Sequence, residues 1–68
     1  MAASNYEFRI RGRLSDPILM RLDMLEPGAA RLDTILHGPI RDQSELRGIL
    51  ERVQALGLEL LEVRRLPG

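Results

Sequence analysis

Cysteine is absent from this 68-residue chain, and so are lysine and tryptophan. Without Cys there is no disulfide, no thiolate metal site and no thiol nucleophile. A single histidine, His37, leaves little for imidazole ligation, and no metal or cofactor is expected. Net charge is missing too, with ten basic residues, all Arg, against ten acidic ones. That balance argues against a general polyanion binder. No apolar run approaches the ~20 residues of a membrane helix. Met1 to Asn5 lack the basic-then-apolar pattern of a signal peptide, so the expectation is a cytoplasmic protein without a membrane partner. Glycines are scattered singly at positions 12, 28, 38, 48, 57 and 68, which excludes a Gly-rich phosphate loop.

A chain this short buries only about 60% of its unfolded surface and is marginal alone. Disulfides and metals being excluded, self-association is the reinforcement left open.

The residues that are present read as one domain over 6–66 behind a disordered tail at 1–5. Tyr6, Phe8, Ile10 and Leu14 share one phase, and Glu7, Arg9, Arg11 and Arg13 share the other. Period two is the mark of a half-buried strand. Ser15-Asp16-Pro17 starts a helix, with Asp16 as the cap and Pro17 at the first helical position. Ile18, Leu19, Leu22 and Leu25 follow at helical spacing, and the helix is expected through Met24. Leu22 to Glu26 is open to a second reading, as a poor strand entering a hairpin at Pro27-Gly28, so that 22–31 is left open between helix and strand. Leu32 to His37 reads as a strand ending at Gly38-Pro39. Asp42 and Glu45 form a capping box. Leu46, Ile49, Leu50, Val53 and Leu56 then make one apolar stripe, and Gly57 stops the helix. Leu58 to Leu66 is the last strand, with an unclean phase: Leu61 and Val63 on one face, Leu58 and Leu60 on the other.

The order β-α-(β)-β-α-β, with the second strand short or missing, predicts the α+β class and a ferredoxin-like split βαβ sandwich. Right-handed crossovers put both helices on one sheet face. The covered face is expected to hold Tyr6, Phe8, Ile10, Leu32, Leu36, Leu61 and Val63 against Ile49, Leu50 and Val53. The open face is expected to carry Arg9, Arg11, Ile35, His37, Leu60 and Glu62, among other charged residues.

Three stretches carry a resemblance: Tyr6-Glu7-Phe8-Arg9-Ile10-Arg11-Gly12, Asp33 to Gln43, and Arg52 to Val63. They resemble a group of short proteins of GC-rich bacteria that has a ferredoxin-like pattern and no known activity. The back half is similar to a BON module in its strand–Gly–helix–strand pattern. Neither likeness implies a catalytic or binding residue.

Candidate chemistry is sparse. Asp33 shares the phase of His37 but lies ~13 Å away along an extended strand. Ser15 and Ser44 belong to helix starts and not to a nucleophile motif. Glu59 with Glu62, and Asp16 with Asp23, have spacings that suit no shared substrate face. Arg9, Arg11 and Arg13 line a strand near Arg64-Arg65, but an RNA-binding sheet needs aromatics beside such a stripe. Tyr6 and Phe8 fall on the opposite phase.

No catalytic constellation emerges. The sequence therefore reads as a non-enzymatic interaction or regulatory module. It is expected to be a homodimer, with Arg9, Arg11, Ile35, His37, Leu60 and Glu62 as the candidate interface and a further protein partner open. The alternatives are an ACT-like small-ligand sensor, an enzyme accessory subunit and, behind these, nucleic-acid binding.

Overall fold

Alternation along the first strand buries Phe8 and Ile10 completely while Arg9 stays exposed. The computed structural model describes residues 3–28 and 32–67. In chain order the elements are β1 (Ser4–Ile10), α1 (Asp16–Arg21), β2 (Glu26–Pro27), β3 (Thr34–Ile40), α2 (Gln43–Ala55) and β4 (Leu60–Arg65). The sheet runs β2-β3-β1-β4, and every neighbouring pair is antiparallel. Strands joined through a helix are separated by a third strand, which is the split βαβ arrangement of a ferredoxin-like α+β sandwich.

The core cluster joins Phe8, Ile10, Leu36 and Ile40 from the sheet to Leu22 and Leu25 after α1 and to Ile49 and Val53 on α2. Both helical segments therefore cover the same sheet face. Leu50, expected at the centre, is half-buried at the edge of this cluster.

Several expectations are corrected at element ends. Ser4 and Asn5, expected in the disordered tail, belong to β1 and pair with Ile40 and Pro39. Ser15, not Asp16, is the N-cap of α1 and makes no side-chain capping bond. The helix ends at Arg21, not Met24. Two successive bonds of the tighter i→i−3 kind, Leu22 N–H to the Leu19 carbonyl and Leu25 N–H to the Leu22 carbonyl, both 3.0 Å, unwind it and turn the two leucines inward. The second strand exists but is only two residues long. The part of the 22–31 segment from 29 to 31 lies outside the described residues.

The third strand is shifted relative to its sequence reading, spanning Thr34–Ile40. Leu32 precedes it and is 83% exposed, so it is not a core residue. Asp33 and Thr34 act as clamps. The Gly12 N–H donates to Asp33 Oδ1 at 3.2 Å, and Thr34 Oγ1 donates to the Gly12 carbonyl at 2.8 Å while accepting from the Leu14 N–H at 3.2 Å. Gly38 and Pro39, expected to end the strand, lie within it. The Gly28 N–H bonds the Ile35 carbonyl at 2.7 Å, so by alternation Pro39 also turns its nitrogen toward the β2 side. There β2 has already ended, and the missing donor costs no ladder bond. Gly38 is needed for close approach: a Cβ there would stand 2.9 Å from Leu25 Cδ2 and 3.0 Å from the Met24 carbonyl.

The unclean phase of the last strand has a structural cause. Arg9 pairs with Glu62 but Ile10 pairs with Leu60, so Leu61 is the extra residue of a β-bulge. The bulge flips the phase. Leu60, expected on the open face, joins Val63 against the core, whereas Leu61, expected inside, is half-buried and outside that cluster. The helix signals of α2 hold. Asp42 caps it by accepting from the Glu45 N–H at 2.9 Å, and Gly57 takes a left-handed φ of 74°. The Glu45 carboxylate reaches back one residue further than a capping box requires, accepting from the Arg41 N–H at 2.9 Å.

Candidate functional site

Two surfaces remain once the core is closed: the sheet face that the helices leave open, and a groove beside α2.

On the open face, strand register decides which side chains meet. Glu26 and Glu7 flank His37 on the neighbouring strands, and Arg64 lies beyond Glu7. The four form one row across the sheet, Glu26–His37–Glu7–Arg64. Asp33 is not part of it. Adjacent members of such a row have Cα atoms about 4.5–5.5 Å apart. Sequence spacing could not place these acids beside His37, because each comes from a distant part of the chain. Arg64 Nε donates to Glu7 Oε1 at 3.0 Å. This bond and the Glu7 charge raise the Arg64 pKa further above its ordinary value, so the guanidinium stays charged in any working range. The next row holds Ile35, Arg9 and Glu62. Arg11 pairs with Glu59 at 3.0 Å.

Of the six candidate interface residues, register thus gathers Arg9, Ile35, His37 and Glu62 on this face, with Arg11 at its end. Leu60 is withdrawn from it. The face is a lattice of alternating charges with Ile35 as an apolar island, and its Arg stripe is interleaved with Glu7, Glu59 and Glu62. Tyr6 and Phe8 lie on the covered side, so no aromatic platform accompanies the arginines. No group of three or more metal-ligating side chains occurs among the described residues.

The groove was not legible in the sequence. It has a volume of about 610 Å³ and is bounded by Met24, Pro39 and Ala3 on one side and by Glu45, Gly48, Ile49 and Arg52 on the other. It exists because α1 is short. Arg52 Nη1 donates to the Arg21 carbonyl at 3.2 Å, tying α1 to the second half of α2, while the first half has no helix beside it. Met24 is 40% exposed there. Gly48 faces open space: among the described residues, no atom beyond its own helix turn lies within 4 Å of where a Cβ would stand. Arg41, ion-paired to Glu45 at 3.2 Å, and Arg52 charge the rim.

The fold and these surfaces define a small α+β sandwich with a charged open sheet face and an apolar groove beside its long helix. Over residues 5–64 the chain matches a family described as Domain of unknown function (DUF8691), and it belongs to that family. No curated protein and no solved structure matches it. No helix among the described residues is long and apolar enough to cross a membrane.

Proposed function

We propose that the chain is a non-enzymatic interaction module that works as a homodimer. The observation that carries this reading is the apolar groove, which leaves Met24 40% exposed beside α2, above the buried Ile49. Against catalysis stand the isolated serines and a His37 row in which one flanking acid, Glu7, is already bonded to Arg64.

Light scattering across a concentration series tests the reading. A mass of two chains, falling to one on dilution, is expected. A mass of one chain at the highest concentration would refute it.

A second reading, a small-ligand sensor, is favoured by the groove volume, which lies within the range of ordinary ligand pockets. Under that reading a metabolite would raise the melting temperature of a chain that stays monomeric.

A further inference from the structure

We propose that the groove beside α2 is filled by the α2 helix of a second copy of this chain, the two helices crossing antiparallel about a two-fold axis between Gly48 and Ile49. This rests on the homodimer reading and adds the surface and the register.

The argument begins with the positions on the groove side of α2. Glu45 lies three residues before Gly48, and Arg52 lies three residues after Ile49. Any antiparallel two-fold through the midpoint of Gly48 and Ile49 therefore sets Glu45 of each copy against Arg52 of the other. The contact is self-complementary in charge, as an isologous interface requires, with Glu45 shared between the partner's Arg52 and Arg41 of its own chain, which it holds at 3.2 Å. The same register brings Gly48 to the crossing point. Its lack of a Cβ, a helix-weakening feature that no packing contact among the described residues requires, lets two helix backbones approach closely there. Met24, 40% exposed, would supply the apolar contact around it, with the buried Ile49 as the floor beneath. Arg52 uses one N–H on the Arg21 carbonyl and has others to offer a carboxylate. The open sheet face offers less apolar surface, because Leu60 has turned inward to the core, and Arg64 and Arg11 there are already paired with Glu7 and Glu59.

Within one chain Glu45 and Arg52 are seven residues apart, or ~10 Å along the helix. They cannot compensate one another in a monomer. Reversing both charges thus separates this register from any other source of association. The dissociation constant is measured by sedimentation equilibrium for the wild type, Gly48→Arg, Glu45→Arg, Arg52→Glu and the double reversal. Gly48→Arg should be monomeric, with unchanged circular dichroism, because its side chain enters open space. Each single reversal should weaken the dimer at least tenfold, and the double reversal should restore it to within a few-fold of wild type. If Gly48→Arg unfolds the chain, the rescue by the double reversal still decides. A dimer that withstands Gly48→Arg, or a double reversal no tighter than the weaker single, overturns the register while leaving the homodimer reading intact. In that case loss of the dimer in Ile35→Asp would place the interface on the open sheet face. A wild-type chain that is monomeric throughout removes both.

Discussion

Replacing Gly38 by alanine puts one methyl group where two neighbours already stand. Its Cβ would lie 2.9 Å from Leu25 Cδ2 and 3.0 Å from the Met24 carbonyl oxygen. The leucine methyl can swing aside, but the carbonyl belongs to the backbone that carries Leu25 into the core. Moving it loosens a residue that is only 5% exposed. Gly38 has an ordinary negative φ, since among the described glycines only Gly12 and Gly57 are left-handed. The cost is therefore one of space alone. Overpacking of this kind costs about 1–3 kcal/mol. The reduced freedom of the unfolded chain offsets ~0.4–1 kcal/mol of that. A net loss of roughly 1–2 kcal/mol remains, which for a domain of this size lowers the melting temperature by about 4–16 °C. Thermal unfolding followed by circular dichroism, with protein dilute enough to remain monomeric, reads it directly. A melting temperature equal to or above that of the wild type would refute the close approach of the Met24–Leu25 segment to β3.

Phe8→Ala removes a completely buried ring and should cost ~3–5 kcal/mol by urea titration, a large share of the total stability of so small a domain. Leu50→Ala, at the half-buried edge of the cluster, should cost clearly less, and equal losses would mean the core is centred elsewhere. Asp42→Ala deletes the 2.9 Å cap on the Glu45 N–H and should destabilise by ~1 kcal/mol; no change in urea midpoint would show that the cap is idle. His37→Ala should shift stability by no more than ~0.5 kcal/mol and leave circular dichroism intact. A discovered activity that disappears with this change, in a folded protein, would make the Glu26–His37–Glu7 row catalytic.

Local chemistry was enough to read several features from the sequence. Alternation over Tyr6 to Ile10 assigned β1 and its buried face, because strand periodicity is a property of the backbone itself. The spacing from Leu46 to Leu56, bounded by Asp42 and Gly57, defined α2, because caps and apolar stripes act within a turn or two. The α+β class and the weak second strand followed from element order. What the sequence could not decide were matters of register and contact. Leu60 turns inward because one extra residue at Leu61 resets the phase against β1, and a bulge is a relation between two strands. Pro39 sits in a strand because β2 stops short of it. Leu22 and Leu25 enter the core although their helix ends at Arg21, because tight turns place them there. Glu7 and Glu26 reach His37 from distant parts of the chain. The groove beside Gly48 is the space that a short α1 fails to fill, and an unfilled volume has no residue to announce it.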